Sequence, residues 1–279
     1  MIHFPMSVAS YSFHGLLSEG KCDIFHYLSM LKYRYGVPLA DIWTGFLPTL
    51  DDEFIGKVRQ ELDRHELGLA NLCVDGPYVW ADDPAVREDH KKKMLEYIDA
   101  AEKLGANTIR IDFGGTDGHT MSEEAFDYLV KTYREYAEIC GNRGMKIGPE
   151  NHWGWDRVPE YLEKVKDAVN HPAYGHLYHF RNFFDEPERG EKIAVSYAMH
   201  THIHAGSVAY AKGVIRKLAQ AGYQGSYSIE HHSGHLECIR TDWQIAAVRE
   251  LMAEINNEGL DAAADGPDYY HDLFKNILK

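Results

Sequence analysis

A chain of 279 residues, 44% of them hydrophobic, is long enough to bury a large core in one domain. Forty-three acidic against 29 basic residues leave a net charge of −14, which argues against a sequence-independent grip on nucleic-acid phosphates. Cys22, Cys73, Cys140 and Cys238 form no CxxC pair, so neither a disulfide framework nor a zinc ribbon is indicated, and a reducing, cytoplasmic setting suits them. The opening MIHFPMSVASYSFHG has no basic segment followed by a long apolar run, and no stretch reaches the roughly 18 apolar residues of a membrane span. No membrane partner is therefore expected.

In chain order, the strand candidates are HFPMSVAS, LADIW, LGLANLCV, ANTIRID, MKIGPE, YGHLYHF, AMHTHIH and GSYSIEH. Longer segments separate them, from DIFHYLSMLKYR to TDWQIAAVRELMAEINN, and several repeat Leu, Ile, Ala or Tyr at three- and four-residue intervals. The junctions EKLGANT, GNRGMK and AQAGYQG each close a helix with Gly before a strand opens, as an αβ loop does. Eight such units predict an α/β fold, a (β/α)8 TIM barrel. The rival, a doubly wound open sheet, loses its nucleotide-binding versions because no GxGxxG or GxxxxGK[ST] follows a strand. Residues 1–279 read as a single domain, with a short amphipathic helical tail over about 261–279.

A barrel of this kind carries its active site at the C-terminal ends of the strands. Strand five ends in Glu150, Asn151 and His152, and strand six in His179, Arg181 and Asn182. Strand seven ends in His202 and His204, and strand eight in Glu230, His231 and His232. One such residue alone would be a solvated loop group or a satisfied histidine, but four adjacent strands each supply one. Two glutamates and two histidines, all N/O donors, suit a divalent transition ion with positions left open for substrate.

These residues carry a family resemblance. GPENHWG resembles the ExH segment, HIHAG the histidine-bearing seventh strand, and AGYQGSYSIEHH the C-terminal glutamate motif of the sugar isomerase/epimerase family of xylose-isomerase-like barrels. SVASYSF and AAEKLGANTIRI resemble that family too, so the likeness spans nearly the whole chain. The family includes ketose 3-epimerases, hydroxypyruvate isomerase, inosose dehydratase, C-glycoside deglycosidases and endonuclease IV.

The resemblance implies a divalent metal held by Glu150, His179, His204 and Glu230, with Mn²⁺ the first expectation and Co²⁺, Mg²⁺, Fe²⁺ or Zn²⁺ as alternatives. His179 stands where relatives carry Asp, which removes one negative charge from the ligand set. His200, His202 and His204 alternate onto one face of strand seven, and only the last is expected at the rim; His202 is expected one layer deeper, orienting a ligand or a substrate hydroxyl. The resemblance further implies Glu150 and Glu230 as acid and base; His152, two residues past Glu150, reads as an added base or hydroxyl contact. Arg181, Asn182, His202 and Trp43 are the expected substrate contacts. Arg110 and Asp112, on one face of strand four, read as an internal ion pair.

The implied activity is isomerisation or epimerisation of a sugar through a metal-stabilised enediolate. The alternative is a lyase in which the same enolate expels a β-substituent, as in inosose dehydratase or the C-glycoside deglycosidases. A homo-oligomer is expected from the relatives, or a partner subunit if the chain is a deglycosidase. The endonuclease reading lacks histidines at the ends of strands two and three, and a metal-free binding subunit would show no bound ion after reconstitution.

Overall fold

The structure is a computed structural model that describes residues 2–116 and 120–262. Eight parallel strands form one sheet: β1 Met6–Ala9, β2 Leu39–Trp43, β3 Gly68–Cys73, β4 Ala106–Arg110, β5 Lys146–Gly148, β6 His176–His179, β7 Ala198–Ile203 and β8 Tyr227–Ile229. The hydrogen-bonded order is β5-β4-β3-β2-β1-β8-β7-β6, and β5 meets β6 through the bridges Ile147 to Tyr174 and Glu150 to Leu177. The sheet therefore curls into the predicted (β/α)8 barrel.

Helices follow the strands. After β1 come α1 His14–Ser18 and α2 Ile24–Met30; α3 Asp52–Arg64, α4 Pro84–Leu104 and α5 Glu123–Asn142 follow β2 to β4. The second half continues with α6 Pro159–Val169, α7 Pro187–Ser196, α8 Val208–Gln220 and α9 Glu237–Glu258. Asp51, Asp83 and Ser122 cap α3, α4 and α5 by accepting backbone N–H bonds in the first turn. Gly105, Gly144 and Gly222, the three glycines that end the predicted helices, all adopt positive φ, where a side chain would be strained. The last helix starts four residues before its apolar period is legible, because Glu237 anchors the first turn by accepting from the Gly15 and Leu16 N–H groups.

The main core lies between strands and helices. Val8, Ile42, Leu69, Ile109, Ile147, Ile203 and Ile229 face Leu28, Val58, Ile98, Leu129, Leu162, Leu218 and Val248 in one buried apolar cluster. The barrel interior is instead largely polar: Ser7, Asp41, Asn71, Thr108, Arg110, His200, His202 and Ser228 are all buried and bonded to one another or to their neighbours. A barrel interior is a packed core that branched apolar residues normally fill, so this polar filling marks chemistry rather than stability. The expected tail lies, from residue 263 onward, outside the described residues. Among the described residues no helix is long and apolar enough to cross a membrane, and all four cysteines are free.

Candidate metal centre

Two irregularities in strand pairing set the level of the site. Between β6 and β7 the register steps from His176 opposite Ala198 to Leu177 opposite His200, so Met199 is an extra residue and His179 comes level with His202. Between β2 and β3 it steps from Ala40 opposite Leu69 to Asp41 opposite Asn71, with Ala70 the extra residue. Such bulges re-aim side chains near active sites.

Four buried side chains converge: Glu150, His179, His202 and Glu230, with ligand atoms all within 4.8 Å of one another. Nδ1 of His179 lies 2.9 Å from Glu150 Oε1 and 3.6 Å from Glu230 Oε2. Nδ1 of His202 lies 2.8 Å and 3.5 Å from the same two oxygens. Bonds of about 2.1 Å at tetrahedral angles separate ligand atoms by about 3.4 Å, so the Glu230 spacings already suit an ion and the Glu150 spacings need to open slightly. Glu150 Oε2 is buried and accepts no hydrogen bond, although Arg110 Nε stands 3.0 Å away as its counter-charge. Two carboxylates and two imidazoles thus form a ligand cluster that fits a divalent metal ion.

The expectation for strand seven named His204 as ligand and His202 as the residue beneath it. In the structure the converging nitrogen belongs to His202, whereas His204 Nδ1 meets the far side of His179, 3.0 Å from Nε2. His204 also stacks on His232, with ring centres 5.2 Å apart and planes 9° apart. His200 is buried deeper, 2.8 Å from Asp41.

Charges follow from this packing. Burial alone would raise Glu150 and Glu230, but His202, with His152 and Arg110 around Glu150 and His232 and His179 around Glu230, holds Glu150 well below the usual carboxylate range and Glu230 at about 2. Burial pulls His202 down, and Glu230 and Glu150 outweigh it, so the ring is pushed well above its ordinary value. His204, desolvated and beside His179 and His232, falls to about 3. The cluster holds carboxylates charged and calls for positive charge between them.

The other expected residues are placed as follows. His152 is partly exposed, with Nδ1 3.2 Å from Asp112 Oδ2; burial lowers it, but Glu150 and Asp112 prevail and push it up to about 9. Asn182 donates its amide to the Asn151 and His152 carbonyls, which ties down the loop after β5. Arg181 turns outward, 3.2 Å from Glu188 and stacked over Tyr210, and is not among the cluster's contacts. Trp43 stands at the rim, donates to Asp75 at 2.6 Å and meets Tyr11 edge-on. Arg110 and Asp112 do pair, at 3.1 Å and fully buried. Arg110 also pairs with Asp75 at 2.6 Å, and Asp75, Asp112 and His152 form another group with ligand spacing.

Sequence reasoning passed over Asp41 and the role of His232. Asp41 sits in the ordinary-looking strand LADIW, where its only signal is a charge amid apolar neighbours. His232 Nε2 lies 2.8 Å from Glu230 Oε2.

The profile of the xylose-isomerase-like TIM barrel family matches residues 33–257. The chain belongs to that family. Similar solved structures include a D-tagatose 3-epimerase-like protein, 16% identical with a TM-score of 0.73, covering 91% of this chain and 98% of that one. The IOLI protein with a bound zinc atom is 14% identical with a TM-score of 0.71, covering 90% and 97%. A probable 3-DHS dehydratase, AsbF from Bacillus anthracis, is 14% identical with a TM-score of 0.70, covering 88% and 98%. No curated protein matches the sequence. At these identities the solved structures establish the shared fold.

Proposed function

We propose that the chain is a divalent-metal-dependent enzyme that isomerises or epimerises a sugar or sugar derivative, moving a proton at the carbon beside a carbonyl. The observation that carries this reading is the buried cluster of two ionised carboxylates and two imidazoles at the C-terminal end of the barrel. The epimerase-like protein and the zinc-bound protein support it by analogy of fold. Mn²⁺ is our first choice of ion, with Co²⁺, Mg²⁺, Fe²⁺ and Zn²⁺ as the others that oxygen and imidazole donors accept. Residues 1–279 act as one domain in this reading.

A bound divalent ion supplies Lewis acidity to a carbonyl and its neighbouring hydroxyl, which acidifies the C–H between them. Glu150 and Glu230 come from β5 and β8, the outer strands of the four that build the cluster. Each is ionised at neutral pH, so each can take a proton from carbon and give it back. His232, beside Glu230 and half exposed, holds that carboxylate toward the mouth. Trp43 with Tyr11, and Tyr78 against Trp153, offer apolar faces to the C–H side of a sugar ring.

The test is turnover of a panel of ketoses and aldoses in deuterated water by metal-loaded protein, followed by NMR. The expected product has the substrate's composition and carries deuterium at the exchanged carbon. Products that lack deuterium at that carbon would sink the proton-transfer reading. One observation favours a second reading, a lyase: His152, cationic at neutral pH, can protonate a departing hydroxyl. A conjugated ketone absorbing in the ultraviolet, with loss of water or of an aglycone, would select it.

A further inference from the structure

We infer that Asp41, outside the metal cluster and on the opposite side of His202 from it, is the positioning residue that fixes His202 in its metal-binding tautomer. The inference rests on His202 being a ligand, as the proposed function has it.

The argument begins with the donors around one fully buried carboxylate. Asp41 Oδ2 is 2.8 Å from His200 Nε2, 3.0 Å from His202 Nε2 and 2.6 Å from the Ser228 hydroxyl, while Oδ1 accepts from the Asn71 amide at 3.0 Å. A carboxylate only accepts, so the His202 nitrogen facing it carries the hydrogen. Nδ1 is thereby the nitrogen left for a metal to take, and it faces Glu150 Oε1, 2.8 Å away, and Glu230 Oε2, 3.5 Å away. Without the anion behind it, His202 is free to place its hydrogen on Nδ1, donate to Glu150 and close the site.

Asp41 is itself held from every side. The Tyr27 hydroxyl accepts from the Asp41 N–H at 2.9 Å and lies 3.1 Å from its carbonyl, which pins the backbone. The Thr108 hydroxyl, 2.8 Å from Asn71 Oδ1, fixes which end of that amide points at Asp41. The register step at Ala70 brings Asp41 opposite Asn71 in the first place. His179, the other imidazole of the cluster, has only the neutral ring of His204 behind it. The two histidines are thus unequal, and His202 is the one whose orientation the fold enforces by charge.

The test exchanges charge without removing hydrogen bonds. In D41N/N71D, the amide introduced at position 41 can still accept from His200, His202 and Ser228 through its oxygen. Its NH₂ group donates to the carboxylate introduced at position 71, to which Thr108 also donates. Metal-free wild type, D41N/N71D and His202→Ala are titrated with Co²⁺, with circular dichroism as the check on folding. The double variant should fold and bind Co²⁺ about 10- to 100-fold more weakly, the range for loss of a carboxylate behind a ligating histidine. His202→Ala should lose the site.

Affinity within about twofold of wild type in the double variant, with loss in His202→Ala, overturns the positioning role and leaves the ligand set standing. Unchanged affinity in His202→Ala overturns the ligand reading on which this rests. Should the double variant not fold, the wild type decides alone: long-range ¹H–¹⁵N correlations in the Zn²⁺-loaded protein must show His202 carrying hydrogen on Nε2. A neutral ring with hydrogen on Nδ1 instead overturns the inference.

Discussion

Glu150 joins both imidazoles of the cluster to Arg110. Its Oε1 faces the Nδ1 atoms of His179 and His202, its Oε2 faces Arg110, and its backbone N–H donates to Asp112. Glu150→Gln keeps the shape but puts an amide where two imidazoles and a guanidinium require negative charge. Turnover should fall by at least about 10²-fold, the usual worth of a positioned acid or base, and steady-state kinetics on the identified sugar would show it. Glu230→Gln should do the same, because its carboxylate supplies the other ionised oxygen. His179→Asp restores a negative ligand at a position that now holds a neutral ring, so Co²⁺ or Mn²⁺ affinity should be retained or strengthened. Complete loss of binding on calorimetric titration would mean that His179 does not stand in the ligand set. His204→Ala should weaken binding less than His202→Ala does, since His204 touches the cluster only through His179.

At the scale of the element, the seam between β5 and β6 is the most exacting packing in the barrel. The two strands join through bridges and through Ile147 N–H to Ala173 and Gly175 N–H to Ile147, and a Cβ placed on Gly148 would lie 1.7 Å from the Gly175 carbonyl oxygen. Gly148→Ala must therefore push β6 away, and with it His179. The expected cost is roughly 3 kcal/mol or more, at the upper end for overpacking, read as a lowered denaturant midpoint together with weaker metal binding. The strands themselves were legible in the sequence, since each is short and β-rich and several follow a helix-ending glycine. The ion pair of Arg110 with Asp112 was legible too, because residues two apart on a strand share a face. The level of each histidine on β7 was not. It depends on the extra residue Met199, and nothing local in AMHTHIH distinguishes a bulge from an even strand. Asp41 was hidden for a different reason: the histidines it holds lie more than 150 positions away, and only barrel closure brings them together.

At the scale of the whole molecule, the cluster couples metal binding to the stability of the barrel. In the metal-free protein Glu230 sits at about 2 and Glu150 and Asp41 well below the ordinary range; burial opposes this in each, and the neighbouring imidazoles, with Arg110 at Glu150, prevail. A carboxylate whose folded pKa lies below its unfolded value holds fewer protons folded than unfolded across the interval. Its stabilisation is complete above about pH 4.5 and is lost as pH falls toward about 2. Scanning calorimetry should show the metal-free melting temperature declining through that window, less steeply in Glu230→Gln. An ion bound only to the folded state adds about 2.7 kcal/mol at a hundredfold excess over its dissociation constant, which for a chain of this size raises melting by about 5–10 °C. The ligands must be deprotonated to bind it, so protons and metal compete for the same oxygens and nitrogens. The gap in melting temperature between loaded and metal-free protein should therefore close over the acid limb on which the carboxylates titrate. A gap that stays constant from neutral pH down to about pH 3 would place the ion on groups that do not titrate there, and so away from Glu150, His179, His202 and Glu230.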